Sequence, residues 1–135
     1  MLYFAYASNL SKKYMSGRCP AAIPLKKVYL KGYKLTFNEL ADIVPNQEEE
    51  VVGALYLISK QELEKLDILE GYPDLYDRIK VDLEDENGNI YEGYVYIMVE
   101  KKLQSPPDSY YKILLEGYED WNIDKQRLER ARDFK

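Results

Sequence analysis

Apolar and polar positions change period several times along the chain, and each change marks an element. Residues 2–6, LYFAY, form an apolar run that predicts a short strand. Ala7, Ser8 and Asn9 break it, and Ser8 or Asn9 is placed to cap a short helix ending at Gly17. In VYLKGYKLTFN, residues 28–38, Leu35 and Phe37 share one face and Thr36 takes the other, a strand pattern. The compact run VVGALYLI, residues 51–58, predicts a well-buried strand. The period then becomes helical: Leu63, Leu66 and Leu69 repeat behind the capping box of Ser59 and Glu62. Gly71 supplies the C-terminal turn of this helix and Pro73 enforces the stop.

Residues 79–84 and 90–99 return to strand character around Asn87-Gly88, a strong hairpin signal. After Pro106 and Pro107, Asp108 or Ser109 is placed to cap a helix to about Glu116, with Gly117 as terminator. A last helix is expected from about Asp124 to Asp133, with Leu128 and Ala131 inward. The order is strand, short helix, two strands, helix, hairpin, two helices. This predicts an α+β fold with a mainly antiparallel sheet, whose four to six strands can curl into a small barrel.

Composition narrows the function classes. A chain of 135 residues has room for one real core, so a single domain over residues 1–135 is expected. Hydrophobic content of 46% and charged content of 32% suit a globular protein. The formal net charge of -5 argues against nucleic acid, whose phosphates need a basic face. The acidic run at residues 47–50 reads as solvated loop. No apolar stretch reaches the length of a membrane span, and the first residues lack a secretory apolar core. Cys19 is the single cysteine and has no internal disulfide partner, so a cytoplasmic protein is expected. The absence of histidine excludes Ser-His-Asp and Cys-His catalysis and histidine-based zinc sites. Acid–base chemistry must then come from carboxylates, Lys, Tyr or Cys. Neither cofactor nor metal is expected.

Glu70 is the most informative carboxylate. It stands at the end of the capped helix, beside Ile68, Leu69 and Tyr72. The negative end of the helix dipole and burial both disfavour its charge, which suits a general acid–base near neutral pH. The alternative is a glutamate that projects into water past the helix end. Asp67, three residues earlier on the same face, is expected to accept hydrogen bonds from loop amides in a structural role. Tyr76 and Arg78 enter the next strand where they can face the end of this helix, with Tyr76 donating to a substrate or to Glu70. Cys19 lacks an activating histidine and reads as inert. The amides after the first strand, among Ala7, Ser8 and Asn9, suit an anion. No glycine-rich phosphate pattern accompanies them, so a carboxylate is the expected anion.

Taken together, these residues resemble the gamma-glutamylcyclotransferase (AIG2-like) family. YASNL, residues 6–10, resembles its Y-G-S-N-L or Y-G-S-N-M loop, and RCPAA, residues 18–22, the R-x-P-x-A that follows. LTF at 35–37, VVGALY at 51–56, LDILEGY at 66–72 and the Y-x-R of Tyr76 to Arg78 continue the series. P-x-x-x-Y ending at Tyr110, seven residues before Gly117, completes it. The order and rough spacing match over about residues 3–120. The resemblance implies a small mixed barrel with flanking helices. It implies cyclisation of a gamma-glutamyl amide to 5-oxoproline with release of an amine or amino acid. Glu70 maps onto the catalytic glutamate, Tyr6, Ala7, Ser8, Asn9 and Leu10 onto the substrate loop, and Tyr76 and Tyr110 onto substrate-contacting tyrosines.

Ala7 departs from the family's glycine. It costs stability if the position needs positive φ and is harmless if φ is negative; in either case a methyl is added near the substrate. A small-molecule-binding module on the same fold, without turnover, is the competing reading. The substrate could be a gamma-glutamylamine, glutathione or a biosynthetic intermediate. A tyrosine-rich surface, with 14 Tyr in the chain, permits a homodimer without requiring one.

Overall fold

A computed structural model describes residues 1–133; Phe134 and Lys135, the end of the expected domain, lie outside the described residues. The strands are β1 (Leu2–Ala5), β2 (Ile23–Asn38), β3 (Leu40–Leu57), β4 (Tyr76–Glu84) and β5 (Ile90–Met98). The helices are α1 (Lys12–Arg18), α2 (Lys60–Glu70), α3 (Asp108–Asp120) and α4 (Gln126–Arg132), with a 3-10 turn at Ser8–Leu10. The strands close into a barrel in the order β1-β3-β2-β4-β5. Its pairs are antiparallel except β1 with β5, where Tyr3 faces Tyr94 in parallel register. The expected α+β barrel is therefore the observed one.

The β1–β3 pair is buried on both faces. Phe4 and Ala5 face Leu55 and Ala54, and every residue from Val51 to Tyr56 is buried. That is why VVGALYLI is uniformly apolar rather than alternating. The helix α3 packs onto the sheet through Tyr111 on Phe37, and Trp121, just past its end, packs on Tyr56, with ring centroids 6.2 and 6.0 Å apart.

Several boundaries move. The hairpin of β2 and β3 is far longer than its apolar segments and takes in the acidic run, so residues 47–50 are strand rather than loop. Of that run Glu50 pairs with Lys31, while the register shift between Lys31 and Tyr33 lets residues 46–49 stand off the pairing. Ser11, rather than Ser8 or Asn9, caps α1, its hydroxyl accepting from Tyr14 N at 3.2 Å. The capping box of Ser59 and Glu62 forms on α2 as expected, and Gly71 closes that helix at φ 69°. Of its three leucines, Leu63 and Leu66 are buried while Leu69 is half exposed.

Gly117 does not terminate α3. The helix continues to Asp120, and Gly117 lets it lie against the loop at Leu10 and Ser11. A Cβ there would stand 2.7 Å from Ser11 N and 2.8 Å from Leu10 Cβ. Gly117→Ala should therefore destabilise by about 1–2 kcal/mol, although alanine is the better helix former. Chemical denaturation checks this, and an unchanged midpoint would mean that the helix and loop separate freely.

Candidate active site

Six elements, β1, the 3-10 turn, α2, β4, β5 and α3, converge on one narrow cleft. It is lined by Tyr3, Tyr6, Ala7, Ser8, Asn9, Glu70, Tyr76, Tyr96 and Tyr110, with Phe4 behind them. Glu70 reaches it as the last residue of α2, and its side chain is 16% exposed, so it does not project into water. Its Oε1 accepts from Asn9 Nδ2 at 3.4 Å and lies 3.7 Å from Arg18 Nη1. Burial pushes the Glu70 carboxyl above its ordinary value, and the Arg18 guanidinium partly opposes this.

The first hydrogen bond of the 3-10 turn runs from Leu10 N to Ala7 O. The amides of Ser8 and Asn9 are therefore left without partners inside the turn. The Leu10 amide is spent in that bond, so it is not a donor to a ligand. Leu10 is also fully buried away from the cleft, and its carbonyl accepts from Trp121 Nε1 at 2.9 Å. Of the expected substrate loop, Tyr6, Ala7, Ser8 and Asn9 reach the cleft and Leu10 does not. Ala7 has φ -123°, so its Cβ meets no left-handed penalty, and it lines the cleft.

The tyrosines are held as neutral phenols. Burial pushes Tyr3, Tyr6, Tyr76 and Tyr110 upward, with Glu70 adding to the effect on each. Tyr6 donates to the Tyr96 carbonyl at 2.7 Å. Tyr76 donates to the Ala41 carbonyl at 2.7 Å rather than to Glu70, while Tyr110 accepts from Ala41 N at 3.1 Å. Tyr111 turns away, beside Phe37 and under Arg132.

Asp67 is structural as expected, but its donors are side chains rather than loop amides. It accepts from Arg78 Nε at 2.9 Å, Arg78 Nη2 at 3.2 Å and Tyr96 OH at 2.7 Å. Arg78 also stacks between Tyr72 and Tyr94, 4.8 and 5.0 Å from their ring centres. This network fixes the end of α2, and hence Glu70, against β4 and β5.

Tyr3 and Tyr96 carry no site motif in the sequence, yet both line the cleft. Tyr3 OH accepts from Asn9 Nδ2 at 2.9 Å, so it steadies the amide that touches Glu70. The signal for it is faint: a phenol in an otherwise buried apolar strand needs a polar partner. Arg18 had no role beyond its motif, because its approach to Glu70 spans 52 residues of sequence.

The cleft thus joins one buried carboxyl, the turn residues Ser8 and Asn9, whose amides have no partner inside the turn, and several neutral hydroxyls. It can move a proton and hold an anionic group. Comparison with known proteins finds relatives of one family. The model of the family described as gamma-glutamyl cyclotransferase, AIG2-like, matches residues 3–122. A Methanocaldococcus jannaschii relative is 32% identical over 69 residues, covering 50% of this chain and 58% of its own. The Homo sapiens gamma-glutamylcyclotransferase is 29% identical over 129 residues, covering 86% of this chain and 69% of its own. A solved structure titled gamma-glutamyl cyclotransferase superposes with a TM-score of 0.87 at 26% identity, covering 98% of this chain and 86% of that one. On its sequence and its barrel, the chain belongs to the gamma-glutamyl cyclotransferase, AIG2-like family.

Proposed function

We propose that the protein cyclises a gamma-glutamyl amide to 5-oxoproline and releases the amine or amino acid, with Glu70 as general acid–base. The observation that carries this reading is the buried Glu70 carboxyl, which accepts from the Asn9 side chain in the cleft that Ser8 and Asn9 line. The substrate's α-amine attacks its own γ-carbonyl carbon. A bond forms between that nitrogen and carbon, and the original amide C–N bond breaks. Glu70 takes the proton from the attacking amine and returns it to the departing nitrogen, so atoms and charge balance without water. Bending the glutamyl chain so that amine and carbonyl meet is the cleft's main task, because an oriented intramolecular attack is intrinsically fast. The amides of Ser8 and Asn9 receive the substrate's negative charge. A buried, unpaired Cys19 fits a reducing, cytoplasmic setting.

Assay of a panel of gamma-glutamyl amides for 5-oxoproline tests the reading. Release from at least one supports it, and binding without turnover across the panel would replace it with a binding module. The panel also identifies the leaving group.

Arg18 gives a further prediction. Glu70 must be ionised to accept the amine proton, so kcat/KM should rise with pH through its raised pKa. In Arg18→Met the opposing cation is gone, and this rising limb should move to higher pH. A limb that stays in place would show that Arg18 does not act on the group that titrates.

A further inference from the structure

Two of the cleft's tyrosines hydrogen-bond to the same residue, one at its carbonyl and one at its N–H. Tyr76, at the start of β4, gives its hydroxyl proton to Ala41 O; Tyr110, on α3, receives the Ala41 N–H. A phenol has one proton and two lone pairs. Tyr76 has spent its proton and retains only acceptor capacity. Tyr110 has spent acceptor capacity and retains its proton. The orientation of one main-chain unit therefore sets opposite polarity in the two side chains offered to the substrate.

Ala41 has no polar side chain with which to hold that orientation. Its neighbour does. Asp42 is fully buried, and its carboxylate is satisfied from three parts of the fold. Oδ1 accepts from Met98 N at the end of β5 at 2.8 Å. Oδ2 accepts from Asn38 Nδ2 at the end of β2 at 2.9 Å and from Lys101 Nζ at 2.6 Å. A carboxylate this buried is costly unless fully paired, so these contacts leave Asp42 a narrow choice of position.

We propose that Asp42 is a positioning residue for the cleft: it fixes the Ala41 main chain so that Tyr110 is the donor, and Tyr76 the acceptor, presented to the substrate. Tyr110 then serves an oxygen of the gamma-glutamyl group, and Tyr76 an N–H. This reverses the sequence expectation that Tyr76 donates. The assignment of substrate atoms rests on the cyclotransferase reading; the positioning itself does not.

The test uses full-length protein with ring-labelled tyrosine, so that the phenol carbon of each residue is followed by NMR beside steady-state kinetics. In Asp42→Asn one carboxylate oxygen becomes an amide nitrogen, a donor facing the donors of Asn38 and Lys101. The Tyr76 and Tyr110 signals should move while those of Tyr29 and Tyr33 on β2 stay. The value of kcat/KM should fall at least tenfold in a protein that remains folded at the assay temperature. The exchanged pair Asn38→Asp with Asp42→Asn restores a carboxylate–amide contact and should return the signals, and kcat/KM to within threefold. Should Asp42→Asn not fold, Lys101→Met removes one donor from Oδ2 and should move the same two signals less. Unmoved Tyr76 and Tyr110 signals in a folded variant overturn the proposal, as do moved signals with unchanged kcat/KM or a folded exchange pair that restores neither. If the native protein releases no 5-oxoproline, the cyclotransferase reading fails, and the NMR signals alone decide the role of Asp42.

Discussion

Glu70→Gln is expected to leave a folded protein whose release of 5-oxoproline falls by roughly 10²- to 10⁴-fold, the usual contribution of a positioned acid–base group. The substitution keeps the size of the side chain and its acceptor toward Asn9 Nδ2, and removes the group that titrates. Substrate binding should suffer less than kcat, because the amides of Ser8 and Asn9 and the tyrosine hydroxyls are untouched. Near-normal turnover would remove Glu70 from the proton path.

Stability should move the other way. The folded carboxyl has a pKa raised above its ordinary 4.5, chiefly by burial. Between the ordinary and the raised value the folded state binds more protons than the unfolded state, so stability falls as pH rises through that window. Above it, the ionised Glu70 is a burden that glutamine lacks. At neutral pH the variant should melt no lower than the native protein. A clearly lower Tm would show that the ion pair with Arg18 outweighs the cost of burial.

Gly53→Ala carries the largest expected loss of stability. Gly53 lies in β3, paired with Val28 on β2. A Cβ at Gly53 would overlap the Ala5 carbonyl oxygen and stand 2.7 Å from Phe4 Cε1. Phe4 is fully buried and Ala5 is held in the ladder with Ala54, so neither can step aside cheaply. The cost should reach about 3 kcal/mol, or roughly 10 °C in Tm. Because β1 leads directly into Tyr6 to Asn9, displacement of Ala5 should also raise KM. Trimming the ring by Phe4→Leu in the Gly53→Ala background should recover part of the loss, which a purely local backbone effect would not allow. Gly17→Ala is the control: nothing lies within 4 Å of that position, and alanine favours the helix. Equal midpoints for Gly53→Ala and Gly17→Ala would sink the steric account.

How much of this was legible in the chain depended on the range of the interactions. The helix α2 was legible from end to end, since its capping box and Gly71 act within a few residues of the backbone they satisfy. So was the turn at Asn87-Gly88 between β4 and β5. The extent of β2 and β3 was not: residues 40–50 mix Asp42, Pro45 and three consecutive glutamates, and β2 pairs with residues 40–45 and with Glu50 on either side of the offset at residues 46–49. Gly117 carried a helix-stop signal at the right spacing, yet its neighbours are Leu10 and Ser11, more than a hundred residues away. Glu70 was legible as a carboxyl at an unfavourable helix end, while its partners Arg18 and Asn9 were not.

By itself, then, the sequence determined which segments are apolar on one face or two, where α2 begins and ends, and which carboxyl stands out. Those choices follow from local sterics, capping and burial period, all short in range. Only the tertiary structure decided that Leu10 packs inward while Ser8 and Asn9 line the cleft, and that Asp67 pairs with Arg78 and Tyr96. It alone decided that Tyr76 and Tyr110 meet at Ala41. Hydrogen-bond direction, desolvation and close approach depend on groups far apart in the chain, and closure of the barrel is what brings them together.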